Sequence, residues 1–168
     1  RQNIQRFYNS PLGYLHLQSD GESLIGLTFS DCLNKSHKDK EEPCNALKKT
    51  IKWLDIYFSA EIPTFMPPIK IQSGSAFARE VWELLLQVPY GQLSTYGALA
   101  KQIAQKHNIA KMSAQAIGRA VGSNPIAIII PCHRIIGANK NLVGYAGGIE
   151  KKITLLQIEG IDTTKFRF

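Results

Sequence analysis

Along RFYNSPLGYLHLQSDGESLIGLTFSD (6–31) the apolar positions come at strand spacing: Tyr14, Leu15 and Leu17 precede a Ser19-Asp20-Gly21 turn, and Leu24, Ile25, Leu27 and Phe29 follow it. This predicts a small antiparallel sheet. The period then changes. After the polar loop HKDKEEP (37–43), Leu47, Ile51, Leu54 and Phe58 recur at helical spacing, until three prolines in SAEIPTFMPP (59–68) close the segment. A second helix is expected from the Ser75 cap, with Phe77, Val81, Leu84 and Leu85 on one face and a stop at Pro89-Tyr90-Gly91.

Two further helices follow. LSTYGALAKQIAQK (93–106) offers Ser94 or Thr95 as N-cap and Leu99 and Ile103 as its apolar row; SAQAIGRAVGSNP (113–125) starts at Ser113 and ends at Gly122. Helix, connection, helix suggests a helix-turn-helix, although about six residues between them exceeds the usual three or four, and a plain helical hairpin fits as well. The run Ile126–Ile130, broken only by Ala127, reads as a short buried strand ended by Pro131. A last helix in GGIEKKITLLQIEG (147–160) carries Ile149, Ile153 and Leu156 on one face and stops at Glu159-Gly160. The expected class is α/β of the α+β kind, with a sheet-plus-helix domain at 1–68, a boundary near 63–74, and a mostly helical domain at 75–168.

Composition narrows the function classes. With 168 residues and 44% hydrophobic content the chain can bury a real core. No apolar run approaches the roughly 20 residues of a membrane span, and RQNIQRFYNS lacks the apolar centre of a secretory signal. Three widely spaced cysteines argue against a disulfide framework, so the expected address is cytoplasmic, or nuclear in a eukaryote. Residues 1–74 hold 9 Lys/Arg against 8 Asp/Glu and residues 75–168 hold 11 against 5, which places +6 of the +7 net charge in the second half. That asymmetry suits a polyanion partner; a merely solvated basic surface accounts for it equally well.

The candidate chemistry sits at IAIIIPCHRIIG (126–137), where a thiol, an imidazole and a guanidinium follow one another out of an aliphatic run. Cysteine is a common core residue, but His133 beside Cys132 can relay a proton and leave a nucleophilic thiolate. Neighbouring side chains of an extended segment point apart, so a bridging water or a sharp turn is needed. Arg134 reads as a brace to carbonyls or a carboxylate rather than a phosphate contact. Glu159 is the other oddity, because a carboxylate at a helix C-terminus faces the negative end of the helix dipole. It is either solvated or there for a purpose.

IPCHRII, with GSNP ahead of it, VGYAGG after it and LLQIEG near the end, resembles the O6-alkylguanine-DNA alkyltransferase family over residues 75–160. The resemblance implies a ribonuclease-H-like sheet domain followed by a winged-helix-like domain containing the helix-turn-helix. It implies a monomer without cofactor or metal, acting on double-stranded DNA that carries O6-alkylguanine, with O4-alkylthymine as a second target, and found near the nucleoid. Cys132 would displace the alkyl group and keep it as a thioether. His133 would take the thiol proton through a water, and Glu159 would hold that histidine. Asn124 would fix the turn after the recognition helix, with Ser123 beside it on the DNA side. Tyr96 would lie at the DNA backbone and assist protonation of the departing guanine. Ile135, Tyr145 and Ala146 would line the guanine pocket, and Lys152 would support the thiolate.

The pattern departs from the family in places. Gln115 stands where an arginine, nine residues before the Asn of the NP turn, fills the gap left by the extruded base; Arg119, one turn on, would partly substitute. The connection between the helices is longer than in many relatives, and Ala146 replaces a serine seen in some. Cys32, His37 and Cys44 lack paired spacing, so no metal is expected. Rival readings are a non-catalytic binder of alkylated DNA, a cysteine hydrolase built on the same Cys, His and Glu, and a sequence-specific regulator reading DNA through Gln115 and Arg119.

Overall fold

The structure, a computed structural model, describes residues 3–30, 43–145 and 147–167. The chain forms two compact units, one of residues 1–73 with Pro125–Ala127, the other of residues 74–124 with 128–168.

In the first unit, β1 (Ile4–Ser10), β2 (Gly13–Ser19) and β3 (Leu24–Ser30) form an antiparallel meander in the order β1-β2-β3. Gly13 closes the first hairpin with φ of 98°, a backbone conformation in which a side chain would be strained. Leu15 and Leu17 of β2 pair with Phe29 and Leu27 of β3, and the register shifts between Gln18 and Ser19. Helix α1 (Asn45–Phe58) buries Leu47, Thr50, Trp53, Leu54 and Tyr57, close to the expected row. The outer edge of β3 is not left open. Leu24 exchanges backbone hydrogen bonds with Pro68 and Lys70 (2.7 and 2.9 Å), and Leu27 with Pro125 and Ala127 (3.0 and 2.9 Å), so two short parallel segments cover an edge that would otherwise invite foreign strands.

In the second unit α2 (Ala76–Leu86), α3 (Tyr96–Lys106) and α4 (Ala114–Gly122) are each started by a hydroxyl. Ser75, Thr95 and Ser113 accept from the amides of Ala78, Ala98 and Ala116. Each cap satisfies one orphan donor and contributes about 1 kcal/mol. The buried face of α2 is Ala78, Val81, Trp82 and Leu85, with Phe77 and Leu84 only half-buried. Because α4 is built of small residues, the indole N–H of Trp82 reaches its backbone and donates to the Ala120 carbonyl at 2.7 Å. Residues 107–113 connect α3 to α4; the backbone of His107 caps α3, and its ring meets Glu80 of α2 at 2.8 Å. The strands β4 (Ser94–Thr95) and β5 (Ile135–Ile136) pair in parallel. Helix α5 (Ile149–Ile158) packs Leu156 with Ile136, Leu142 and Phe166, flanked by Ile149 and Ile153.

One expectation fails. The aliphatic run 126–130 is buried throughout, but it is not a strand: only Ile126 makes a bridge, and Ile128 turns the chain with φ of 71°. A β-branched residue in the left-handed region is strained by on the order of 1–3 kcal/mol. Burial of five aliphatic positions offsets that cost.

Candidate active site

The turn begun at Ile128 ends in a 3₁₀ helix over Cys132–Arg134. The Cys132 amide donates to Ile130 O at 2.8 Å and the Arg134 amide to Pro131 O at 3.0 Å, so Cys132 and His133 are wound together rather than splayed along a strand. The side chain of Asn124, just after α4, donates to Ile130 O at 2.7 Å and ties the end of that helix to this turn. Cys132 is 7% exposed. Burial pushes its thiol up, opposed by the Asn124 amide, the Lys152 ammonium and the Tyr145 hydroxyl, which favour the charged sulfur. Tyr96, first residue of α3, and Tyr145 also feel that sulfur: burial raises both phenols, and a charged Cys132 raises them further.

His133 is fully buried, and its Nε2 meets Glu159 Oε2 at 2.5 Å. Burial holds the imidazole below its ordinary value; Glu159 pulls the other way. Glu159 is the C-cap of α5 and only 6% exposed, which excludes the solvated reading. Its Oε1 accepts from Arg134 Nε at 2.7 Å and from the Gly91 amide at 2.9 Å. Burial alone would raise this carboxyl, but the hydrogen bonds and charges of His133 and Arg134 outweigh it and hold it at about 2. The helix-end carboxylate that looked misplaced is thus compensated from outside its own helix.

Lys152 of α5 is fully buried. Its Nζ donates to the carbonyls of Ile135 (2.6 Å) and Val143 (3.2 Å), pinning the Val143–Tyr145 stretch to β5. Burial lowers this ammonium to about 8, against the pull of Cys132. Ile135 therefore has its carbonyl on Lys152 and its amide on Cys132 O.

A cleft of about 570 Å³ opens beside these groups, lined by Tyr96, Gln115, Gly118, Arg119, Val143 and Gly144. Gln115 and Arg119 are exposed, four residues apart on α4. Ser123 is exposed as well, its hydroxyl donating to Ala120 O at 3.0 Å. Of the residues singled out from sequence, Ala146, Cys32 and His37 lie outside the described residues, and the Cys44 thiol donates to Ser19 Oγ at 3.4 Å. What sequence reasoning missed is the other half of the Glu159 cradle. Gly91 enters the sequence reading only as part of a helix stop, and Val88, whose carbonyl accepts from Arg134 at 2.8 Å, does not enter it at all. Proximity to a proline-glycine turn carries no mark of this role.

A buried thiol beside a buried imidazole and carboxylate, in one unit with the helix pair α3 and α4, defines a protein whose chemistry runs through a cysteine. Comparison with known proteins is specific. Residues 76–161 match the model of the 6-O-methylguanine DNA methyltransferase DNA binding domain, and residues 3–71 that of the family's ribonuclease-like domain. A methylated-DNA–protein-cysteine methyltransferase of Haemophilus influenzae is 41% identical over 174 residues, covering 96% of this chain and 93% of the relative. One from Mycobacterium leprae is 39% identical over 155 residues, with 92% and 90% covered. The crystal structure of Mycobacterium tuberculosis O6-methylguanine methyltransferase superimposes with a TM-score of 0.78 at 35% identity, covering 99% of this chain and 96% of that one. The Mycobacterium tuberculosis protein in complex with DNA gives 0.77 at 36% identity, with 96% and 94% covered. The chain belongs to the 6-O-methylguanine DNA methyltransferase family.

Proposed function

We propose that this chain is a single-turnover DNA repair protein that takes an alkyl group, methyl above all, from O6 of guanine in duplex DNA onto its own Cys132. The observation that carries this reading is the buried Cys132 lying one residue from a buried imidazole held by Glu159, in the same unit as the helix-turn-helix. The O6 carbon is unreachable in stacked duplex, so the nucleotide is extruded into the cleft at a cost of a few kcal/mol, met by contacts to the DNA backbone. The basic second half supplies them.

The thiol proton passes to Nδ1 of His133, the ring nitrogen not engaged by Glu159, by way of a water. The sulfur attacks the alkyl carbon, the S–C bond forms as the C–O6 bond breaks, and guanine leaves, its protonation assisted by the Tyr96 hydroxyl. Glu159 stabilises the imidazolium formed. Asn124, Tyr145 and Lys152 favour the developing thiolate. The Tyr145 ring lines the base pocket, Ser123 contacts the DNA strand, and Gln115 with Arg119 occupies the space the base leaves. A thioether has no easy hydrolytic exit, so each molecule acts once. The same displacement at O4 of thymine is a second reaction open to this site. The sheet unit serves as scaffold and the helical unit carries the chemistry, and the protein works as a cytoplasmic monomer, close to the nucleoid. Among the described residues no helix is long and apolar enough to cross a membrane.

The test is to incubate the protein with a duplex holding one O6-methylguanine and weigh it intact. A gain of one methyl at Cys132, stopping at one equivalent, is expected. DNA binding with no mass gain identifies a non-catalytic binder, and product beyond one equivalent identifies a hydrolase; either sinks the transfer reading.

A further inference from the structure

We infer that Arg134 is a positioning residue that keeps the resting site as a thiol beside a neutral imidazole, by occupying the Glu159 oxygen that His133 leaves. The inference rests on reading Cys132 as the acceptor and His133 as its proton partner. Arg134 is 8% exposed and fixed at three points: Nε on Glu159 Oε1 at 2.7 Å, a terminal nitrogen on Val88 O at 2.8 Å, and the guanidinium 5.7 Å from the centre of the Tyr90 ring. The Gly91 amide on the same Oε1 holds the carboxylate in place for both partners.

Charge balance gives the consequence. The groups facing His133 are Glu159 at the end of α5, Lys152 within α5, and Arg134 on its own turn. Glu159 and Arg134 cancel, and a guanidinium does not give up its proton. A proton added to His133 therefore creates net positive charge in a buried site that already holds Lys152. Without Arg134 the carboxylate charge would be uncompensated, and it would favour an imidazolium on Oε2 against the cost of burial. The direction found for His133, lowered by burial and by the two cations against Glu159, agrees. Moving the proton from Sγ to Nδ1 turns a neutral pair into thiolate and imidazolium without changing the total charge. Arg134 disfavours that pair at rest and so spares the sulfur from adventitious alkylation or oxidation until a DNA alkyl group is in reach.

The test of Arg134 itself reads the thiol without DNA. The full chain is treated with iodoacetamide from pH 5 to 9 and modification of Cys132 is read by peptide mass mapping. Arg134→Met should move the Cys132 profile down by about one pH unit, which raises the rate at pH 7 on the order of tenfold, whereas Arg134→Lys should stay close to the parent. A profile for Arg134→Met that superimposes on the parent or moves up overturns the inference. Should that variant fail to fold, the parent decides: the His133 ring signals in an NMR titration should report a neutral imidazole from pH 6 to 8, and an imidazolium at pH 7 overturns it. Methyl uptake from O6-methylguanine DNA by the parent is measured alongside. If it is absent the transfer reading fails, while the titration result stands or falls separately.

Discussion

Glu159→Gln removes one charge and almost no volume from the centre of the site, which makes its cost calculable. The carboxyl lies near 2 in the folded protein against an ordinary 4.5, a difference of about two and a half pH units. At 1.36 kcal/mol per unit that is about 3 kcal/mol of stability at neutral pH. The figure matches the 3–5 kcal/mol, order of magnitude, for breaking a buried ion pair and leaving its partner, here Arg134, uncompensated. The sign is fixed. A depressed folded-state value gives stability that is present above 4.5 and lost as pH falls toward 2, so the gap between parent and variant should shrink to about 1 kcal/mol at pH 3. His133, also held low in the fold, destabilises both forms as pH falls below 6.5, and the variant more, because it lacks the carboxylate that raises the imidazole; it therefore works against a narrowing gap and cannot produce one. Urea unfolding followed through Trp82 in a Trp53→Phe background reads the helical unit. With a slope of about 2 kcal/mol per molar, the midpoint at pH 7.5 should fall by about 1.5 M. A shift below about 0.3 M, or one that is the same at pH 3, would refute the assignment of Glu159 as a buried, doubly paired carboxylate.

Two further substitutions test other parts of the molecule. Gln115→Arg should tighten binding to O6-methylguanine duplex several-fold and steepen its salt dependence by about one counterion, read by fluorescence anisotropy at several salt concentrations; unchanged or weaker binding removes Gln115 from the DNA face. Trp82→Phe leaves the Ala120 carbonyl without its indole donor and should cost about 1–2 kcal/mol in chemical unfolding while sparing the sheet unit; a change under about 0.3 kcal/mol would mean the bond contributes nothing.

The helices were legible because their signals are local. Ser75, Thr95 and Ser113 each cap an amide three residues away, within reach of any sequence reading. The second hairpin of the sheet was legible for the same reason, through alternation and the turn at Ser19-Asp20-Gly21, whereas the first, closed at Gly13, was not singled out. The run 126–130 was misread because hydrophobicity reports burial and not conformation. Five aliphatic residues look alike whether paired as a strand or turned at Ile128; here the one pairing is of Ile126 with Leu27, 99 positions back, and the turn follows two residues later. At the site, Cys132 and His133 announced themselves by adjacency, and Glu159 by sitting at the wrong end of a helix. Its partnership with Arg134 and Gly91 spans 25 and 68 positions. No periodicity or spacing encodes contacts of that range; Arg134 could be read as a brace but not told what it braces.

The way β3 is edged has a bearing on how this protein can be taken apart. Pro125–Ala127 belong to the sheet unit although the chain on both sides of them belongs to the helical one. A fragment beginning at residue 75 would carry those three residues without the strand they line, setting free the Pro125 carbonyl, the Ala127 amide and the fully buried Ile126 side chain immediately ahead of the reactive turn. A truncation that looks clean in sequence thus cuts a strand pairing made by residues inside the fragment. The better dissection keeps the peptide whole and cuts elsewhere, or supplies the sheet unit as a second chain.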